Sequence, residues 1–317
     1  MPFLSVLHTL KEKVFFMDRV KKYIHTDYAY KMGLSGKNVT VAVMDTGVVG
    51  HPDFDSRILC CKDFCNGRSG IYDDNGHGTH VAGIIAGTGK MSEDSRKIRR
   101  YSGIAPRADM IMLKVLDEKG NGSTGKVLEA VDWVRREKKH YNIRLLNISV
   151  GMLPNAGRAE QQELLEAVDR LWDEGVMVVA AAGNNGPKEN SVTIPGISRK
   201  ILTVGSCDDE TYDGKNRSLP AGYSGKGPTE CCIVKPEIVA PGTGIHSCSW
   251  DGRGYQVKSG TSMAAPVVTG ALALAFERFP DFLPGEMKLR LYERAYPRGK
   301  QVGRNCWGVI HADHLVR

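Results

Sequence analysis

Val176-Met177-Val178-Val179-Ala180 is the stretch of this chain that decides its fold class. All of its side chains are apolar, so neither face of a strand built from them can lie against water. A strand that is covered on both faces is typical of a parallel sheet with helices packed on each side. Gly175 precedes the stretch, as expected where a helix ends before a strand. The stretch therefore predicts an α/β fold.

Strands and helices alternate on both sides of that stretch. Residues 161–174 place Leu164, Leu165, Val168 and Leu171 on one side, which is the spacing of an amphipathic helix. The other predicted strands are residues 39–44, 108–115, 145–150 and 201–204, and the other predicted helices are residues 10–23, 27–32, 80–86, 125–140 and 263–275. No linker or repeat interrupts the alternation. We therefore predict a single domain, a parallel β-sheet with helices on both faces.

The composition is that of an ordinary soluble globular protein. Of the 317 residues, 41% are hydrophobic and 25% are charged. The net charge of +7 comes from basic residues that are scattered, apart from residues 97–100 and 135–139. No aromatic-interleaved basic stripe accompanies them, so we interpret the charge as solvated surface and expect neither nucleic acid nor membrane as a partner. The sequence leaves the oligomeric state open.

The N-terminus and the cysteines favour a reducing compartment. Residues 1–8 lack a basic start and carry only a short apolar run, so they do not resemble a signal peptide. The chain has eight cysteines, but a chain of this length builds its core without disulfides. We expect reduced thiols and a cytoplasmic protein, with secretion as the alternative. Cys60, Cys61 and Cys65 lack a second pair at zinc-type spacing, so a metal site there is weakly supported.

A carboxylate and an imidazole stand where predicted elements meet loops. Asp45 follows the apolar strand 39–44, and the ordinary role of such an aspartate is to start a turn. His77 is flanked by glycines just before a predicted helix, so little shields its ring. His80, three residues later, is expected to pack inside that helix. No glutamate stands between the two histidines at metal-binding spacing, which makes a metal site at this pair weakly supported.

An amide and a hydroxyl occupy similar positions further along the chain. Asn184 follows the strand 176–182 and a glycine, although such a residue is also common in turns. Ser262 directly precedes the predicted helix 263–275. A helix N-terminus offers unpaired N–H groups and partial positive charge, which stabilise an oxyanion formed beside a nucleophile. Taken alone, Ser262 is equally well explained as a helix cap.

Together, Asp45, His77, Asn184 and Ser262 supply an acid, a base, an amide donor and a nucleophile. Each stands at a strand end or a helix start, and the carboxyl ends of parallel strands lie at one edge of a sheet. This combination is what acyl transfer at a catalytic triad requires.

The segments around these residues resemble the subtilisin-like serine proteases, the subtilases. The order Asp45, His77, Ser262 is the order that subtilisin itself has. The matching segments are residues 45–47, 75–83, 181–184, 235–242, 260–266 and 303–312. The resemblance runs from about Gly36 to the C-terminus and is nearest to the intracellular members of the family.

The resemblance implies a serine endopeptidase. Ser262 would attack the scissile carbonyl, His77 would carry the proton to the leaving amine, and Asp45 would orient His77. The side-chain amide of Asn184 and the backbone N–H of Ser262 would hold the oxyanion. No cofactor is required for this chemistry.

The resemblance also implies where a peptide would bind. Two segments of small residues would flank an extended substrate and form backbone hydrogen bonds with it. These segments are Gly120, Asn121 and Gly122 on one edge, and Ser149, Val150 and Gly151 on the other. The P1 pocket would lie between the second edge and residues 181–183, including Gly183, with Thr193 at its base. No acidic residue is evident there, so we expect broad specificity with an apolar P1 residue.

Two departures from the family pattern leave calcium and regulation open. Asp53, in His51-Pro52-Asp53, matches a calcium ligand of many subtilases, but the loop 87–102 is long and basic, which disfavours a cation nearby. A structural calcium ion at Asp53 is therefore an open expectation. Residues 1–35 are expected to form a short N-terminal extension that can block the active site, and residues 36–317 the catalytic domain.

Two other functions are compatible with this fold. A catalytically silent subtilase-fold binding protein would normally lack a triad residue, and none is missing here. A processing protease dedicated to one partner would keep the whole site, so the sequence does not separate it from a broad endopeptidase.

Overall fold

The computed structural model describes residues 17–151, 157–209, 219–229, 233–297 and 306–317. The strands are β1 (Thr40–Asp45), β2 (Ile58–Asp63), β3 (Asp109–Lys114), β4 (Ile143–Ile148), β5 (Met177–Ala181), β6 (Leu202–Ser206), β7 (Ile238–Ala240), β8 (Ile245–Cys248), β9 (Tyr255–Lys258) and β10 (Gly308–Val309). Eight of them form one sheet in the order β10-β7-β6-β5-β4-β1-β3-β2, in which all neighbours are parallel. The predicted parallel sheet is confirmed.

Helices cover this sheet on both faces. Those of the described residues are α1 (Met17–Tyr23), α2 (Asp27–Lys31), α3 (His77–Ala86), α4 (Thr124–Glu137), α5 (Arg158–Asp173), α6 (Thr261–Arg278), α7 (Pro284–Arg294) and α8 (Ala312–Val316). Helix α3 packs on α6, and α4 packs on α5. The strand β5 contacts α5 and α6, which belong to different pairs, and all of its residues are buried. The stretch that predicted an α/β fold is thus a central, doubly covered strand.

Helix α6 is buried nearly all the way round. From Met263 to Phe276 every residue is buried, as expected for a helix that is apolar on all sides. The helix begins at Thr261, two residues before the predicted start, and α3 begins at His77 rather than at His80. The sequence analysis missed these earlier starts because glycines and polar residues occupy the first turns, where no apolar periodicity is visible.

The described part of the N-terminal extension packs into the catalytic body. Met17, Val20 and Ile24 belong to the main hydrophobic core. This segment also bonds to residues of the C-terminal helix region: the Ala312 N–H donates to the Ile24 carbonyl at 2.8 Å, and the Asp313 N–H donates to the His25 carbonyl at 2.9 Å. Residues 17–35 are therefore structurally continuous with the domain that follows. The predicted helix 10–23 is observed from Met17, and its earlier residues lie outside the described ranges.

Seven elements carried no clear pattern in the sequence. They are the edge strand β2, the short strands β7 and β10, the two strands of the antiparallel hairpin β8–β9, and the helices α7 and α8. The strand β2 mixes exposed and half-buried residues, and β7 has only three residues, so neither shows a recognisable period. Among the described helices, none is long and apolar enough to cross a membrane.

Candidate active site

The carboxyl ends of three neighbouring strands supply the residues of this site. Asp45 is the last residue of β1, Ser149 directly follows β4, and Gly183 and Asn184 follow β5. In the sheet β1 pairs with β4, and β4 pairs with β5. The parallel arrangement therefore brings these residues to one edge, where α3 and α6 also begin.

Asp45 and His77 form a direct hydrogen-bonded pair. The distance between Asp45 Oδ1 and His77 Nδ1 is 2.7 Å. Asp45 is fully buried, whereas a quarter of the His77 side chain is exposed. Burial by itself lowers the pKa of His77, but the charge and the hydrogen bond of Asp45 outweigh it and raise that pKa above its ordinary value. An imidazole held in this way can accept a proton through its other nitrogen.

Gly78 allows α3 to approach β1 closely enough for this pair to form. A Cβ atom at Gly78 would lie 2.2 Å from the Gly47 carbonyl oxygen and 3.1 Å from Asp45 Cβ. Thr46, which directly follows β1, also stabilises this close approach of α3 to β1. Its N–H donates to Asp45 Oδ1 at 2.8 Å, and its hydroxyl accepts the Gly78 N–H at 2.9 Å. Any larger residue at position 78 would push the helix away from the carboxylate.

Asp73 is a buried residue that connects the end of β1 to the start of α3 by hydrogen bonds, and the sequence analysis did not identify it. Its Oδ1 accepts from the Thr46 hydroxyl at 2.8 Å and from the Gly76 N–H at 2.8 Å, and its Oδ2 accepts from the Thr79 hydroxyl at 2.6 Å. Burial raises the pKa of Asp73, but these donors outweigh it and bring the pKa below its usual value. An aspartate two or three residues before backbone donors indicates an Asx turn, which is the signal that could have identified it.

Ser262 lies in the first turn of α6 and not at its cap. The N-cap is Gly260, and Ser262 makes no capping bond, so the interpretation of this serine as a helix cap is wrong. Its hydroxyl donates to the Ser149 carbonyl oxygen at 2.7 Å and is not hydrogen-bonded to His77. The first N–H groups of a helix have no partner within the helix, so the Ser262 N–H is available to an oxyanion.

Asn184 is fixed through its carbonyl oxygen. Its Oδ1 accepts from the Thr261 N–H at 3.0 Å and from the Thr261 hydroxyl at 3.1 Å. That hydroxyl in turn accepts the Gly183 N–H at 3.1 Å. Because the oxygen is engaged with the residue before Ser262, the amide NH₂ is left to donate into the same region. Asn184 and Ser262 are thereby joined by a short polar network.

The predicted substrate segments lie around these residues. Gly120, Asn121 and Gly122 are exposed in the loop between β3 and α4, and they are not part of a strand. Asn75, two residues before His77, donates to the Glu118 carbonyl in this loop at 3.0 Å. On the other side, Ser149 is buried, Val150 is half-buried and Gly151 is exposed, directly after β4. The first segment therefore lies on the His77 side of the site, and the second contacts Ser262.

Thr193 lies between Gly151 and Gly183. A Cβ atom at Gly151 would lie 2.3 Å from Thr193 Oγ1, and one at Gly183 would lie 2.5 Å from Thr193 Cγ2. Thr193 is 4% exposed, and its hydroxyl oxygen has no hydrogen-bond partner among the described residues. Its side chain thus fills the space between the two predicted pocket walls.

His80 is a structural histidine, as the sequence predicted for the residue inside the helix. Its Nε2 lies 3.0 Å from the Ile245 carbonyl oxygen and 3.1 Å from the Gln256 carbonyl oxygen, so it ties α3 to the β8–β9 hairpin. Complete burial, assisted by the nearby Lys258, lowers the pKa of His80 to about 3. The ring is neutral at physiological pH.

Asp53 does not offer its carboxylate to a cation. Its Oδ2 accepts from the Gly89 N–H at 3.0 Å and from the Tyr255 hydroxyl at 2.8 Å, and its Oδ1 accepts from the Met91 N–H at 3.0 Å. Structural calcium is frequent among subtilases, but Ca²⁺ needs about six to eight oxygen ligands. Here N–H donors from the loop after α3 and the Tyr255 hydroxyl of β9 surround the carboxylate, so Asp53 does not fit as a calcium ligand.

The same carboxylate belongs to the only group of candidate metal ligands in the described ranges. The ligand atoms of His51, Asp53 and Cys248 lie within 4.8 Å of one another. However, His51 Nδ1 accepts the Asp53 N–H at 3.1 Å, and burial raises the pKa of the Cys248 thiol. A soft metal such as Zn²⁺ would need a free His51 Nδ1 and a Cys248 thiolate as ligands. These three residues therefore do not fit such a metal either.

Comparisons with known proteins agree with this geometry. A profile of the subtilase family, peptidase family S8, matches residues 36–308. The serine protease AprX of Bacillus subtilis is 36% identical, covering 89% of this chain and 67% of that protein. Subtilisin Savinase of Lederbergia lenta is 33% identical, covering 91% of this chain and 94% of that protein.

A solved structure supports the fold assignment independently. The crystal structure of a cold-adapted subtilisin-like serine proteinase superposes with a TM-score of 0.70 at 31% identity, covering 88% of this chain and 90% of that one. The chain therefore belongs to the subtilase family and is a subtilisin-like serine endopeptidase.

Proposed function

We propose that Asp45, His77 and Ser262 form the catalytic triad of this peptidase. The hydrogen bond of 2.7 Å between Asp45 and His77, at the edge where α6 begins, is the observation that carries the proposal. His77 accepts the proton of the Ser262 hydroxyl as the oxygen attacks the scissile carbonyl carbon, and it later donates that proton to the leaving amine. Asp45 orients the ring and stabilises the imidazolium that forms.

The oxyanion is held by two donors that share one network. The Asn184 amide NH₂ and the Ser262 backbone N–H both donate to the oxygen that becomes negatively charged. Thr261 connects them, because its N–H and hydroxyl fix the Asn184 oxygen while its backbone continues directly into Ser262. The donors are set before substrate arrives, so little reorganisation accompanies the reaction.

The substrate itself prepares the nucleophile. An extended peptide bound along residues 149–151 uses backbone acceptors on that edge. The Ser149 carbonyl, which holds the Ser262 hydroxyl at 2.7 Å, is one of these acceptors. When the peptide N–H takes over this carbonyl, the Ser262 hydroxyl is released to His77.

Labelling with an organophosphate probe tests the triad. We expect covalent modification of Ser262, identified by peptide mass spectrometry, and loss of the reaction in the His77→Ala variant. A catalytically silent binding protein would not react, so an unmodified Ser262 in folded protein would overturn the proposal.

The P1 pocket prefers apolar residues of small to medium size. Thr193 fills the space between Gly151 and Gly183, which leaves a shallow pocket with no described acidic side chain among its proposed walls. Backbone recognition along the edges tolerates many sequences, which favours a broad endopeptidase over a protease dedicated to one partner.

A diverse peptide library tests this preference together with the breadth of cleavage. Thr193→Gly should increase kcat/KM for a phenylalanine P1 residue relative to alanine by about tenfold or more, because the pocket deepens. Thr193→Val keeps the volume and removes the hydroxyl, so it should keep the size preference. Cleavage of a single sequence would instead favour the dedicated processing protease.

The compartment and the N-terminal extension are also proposals. Cys60, Cys61, Cys65 and Cys248 form no disulfide, which supports a reducing, cytoplasmic location. Inhibition by the extension would come from residues that precede Met17, because Met17, Val20 and Ile24 anchor the described part of the extension in the core. Removing residues 1–15 should then raise activity, whereas removing residues 1–27 should lower the melting temperature. Equal activity with and without residues 1–15 would count against inhibition.

A further inference from the structure

A fully buried ammonium group lies at the carboxyl end of β3. Lys114 is the last residue of that strand and its side chain is 0% exposed. Its Nζ donates to the Thr46 carbonyl at 2.8 Å, to the Leu116 carbonyl at 2.8 Å and to Asp74 Oδ1 at 2.6 Å. The three N–H bonds of the ammonium group thus each have an acceptor. Burying a charge is costly, so such a complete set of partners points to a specific task.

The three acceptors belong to three segments of the active-site edge. Thr46 directly follows the acid Asp45, and Asp74 stands three residues before the base His77. Leu116 leads into the loop that carries the predicted substrate edge at residues 120–122. One point charge therefore joins the chain segments that carry the acid, the base and one side of the substrate cleft.

Thr46 links the Lys114 ammonium group to Asp45 and to the residue next to His77 by hydrogen bonds. The Thr46 carbonyl accepts from Lys114, while its N–H donates to Asp45 Oδ1 at 2.8 Å. Its hydroxyl accepts the Gly78 N–H at 2.9 Å, next to His77. Fixing this residue from its carbonyl side therefore limits how far Asp45 and His77 can move apart.

We propose that Lys114 is a positioning residue that holds the Asp45 and His77 segments in register through Thr46 and Asp74. The inference rests on the proposed triad and deepens it. Lys114 touches neither substrate nor reacting atoms. Its role is to keep the carboxylate and the imidazole at hydrogen-bonding distance during proton transfer.

Replacement by methionine, which keeps most of the length and removes the charge, tests the role. Small displacements of catalytic groups cost up to about a hundredfold in rate, so Lys114→Met should lower kcat by about ten- to a hundredfold. Asp45 raises the pKa of His77, so a looser pair also moves the acid limb of the kcat/KM profile to lower pH. A purely structural lysine would change the amount of folded enzyme but not this limb.

Lys235 provides a matched control. It is also 0% exposed, and its Nζ binds Glu237 Oε1 at 2.7 Å and the Ile201 carbonyl at 2.9 Å. These partners precede β6 and β7, at the sheet edge opposite the site. Lys235→Met should therefore reduce thermal stability while leaving kcat per folded molecule and the pH profile unchanged.

Asp74→Ala keeps the test decisive if Lys114→Met fails to fold. The Asp74 side chain is 31% exposed, so its removal is better tolerated and should give a smaller loss of kcat in the same direction. The measurements are pH profiles on protein whose folded fraction is known from circular dichroism. If both variants keep kcat within about twofold and leave the acid limb in place, the positioning role is wrong. If Ser262 resists the organophosphate probe in the unmodified protein, the triad itself is wrong.

Discussion

The Ser262 hydroxyl donates its hydrogen bond to the Ser149 carbonyl oxygen rather than to the ring of His77. The nucleophile and the wall of the substrate cleft are thus connected before any peptide is bound. In the proposed mechanism a backbone donor of the substrate competes for that carbonyl, so peptide binding and activation of the serine are one event.

Ser262→Ala should abolish peptide hydrolysis while the protein stays folded. The variant loses the attacking oxygen and one hydrogen bond, which contributes about 0.5–1.5 kcal/mol to stability. Hydrolysis of a peptide substrate and a thermal melt are the two measurements. Activity near that of the unmodified protein would contradict the assignment of the nucleophile. The inactive variant also removes self-cleavage, so it is the background for the stability experiments below.

Asn184→Ala should lower kcat by about 10²–10³ with little change in KM, a magnitude established for the corresponding donor of subtilisin itself. The amide stabilises charge that appears only after attack, so substrate binding does not depend on it. Steady-state kinetics on one peptide substrate measure both constants. A rise in KM with an unchanged kcat would instead place Asn184 in substrate binding.

Lys258→Gln should move the acid limb of the kcat/KM profile to higher pH. Only the neutral imidazole accepts the serine proton, so activity rises as the pH passes through the pKa of His77. Asp45 raises that pKa, and the positive charge of Lys258 lowers it. Removing the cation therefore raises it further. Lys139→Gln, an exposed lysine beyond the end of α4, is the control and should leave the limb in place.

Acid should destabilise the protein through His80. Its pKa in the folded protein, about 3, lies below the ordinary value of 6.5, so the unfolded chain binds more protons between these values. Stability is therefore lost as the pH falls from about 6.5 towards 3. In the Ser262→Ala background, His80→Gln should show a smaller fall in melting temperature between pH 7 and pH 4. An identical fall in both proteins would contradict this role.

Calcium should not act on stability through Asp53. Donors from the loop after α3 and from β9 already occupy its carboxylate. In the Ser262→Ala background, Asp53→Asn should lower the melting temperature by about 5 °C or more, because hydrogen bonds to a buried charge are lost. Any difference between EDTA and added calcium should be the same in both proteins. A calcium-dependent gain that disappears in Asp53→Asn would show a cation at this carboxylate.

The sequence alone predicted the residues that lie at the ends of regular elements. Asp45 ends β1 and Asn184 comes after β5, and the ends of both apolar strands are visible in the sequence as polar residues near glycines. Parallel strands then place such residues at one edge without further information. This is why Asp45 and Asn184 could be named as candidate site residues before their distances were known.

Contacts between distant segments could not be predicted in this way. Lys114 ends an apolar strand, and nothing local shows that its ammonium group meets Thr46 and Asp74. The role of Asp53 was open for the same reason, because its donors, Gly89 and Met91, come from a loop without periodicity. The edge strand β2 was missed because its burial is partial and follows no clean alternation.

The burial of α6 has a consequence for how this protein loses activity during storage. Exposed loops such as residues 66–71 open locally and are the first places where one molecule can nick another. Ser262 stands on a helix whose residues from Met263 to Phe276 are all buried, so we expect it to open later than exposed loops. Nicked molecules should therefore keep the proposed nucleophile in place. During storage, the intact chain should disappear from a denaturing gel before activity declines, so that chain integrity and catalytic lifetime are separate properties of this enzyme.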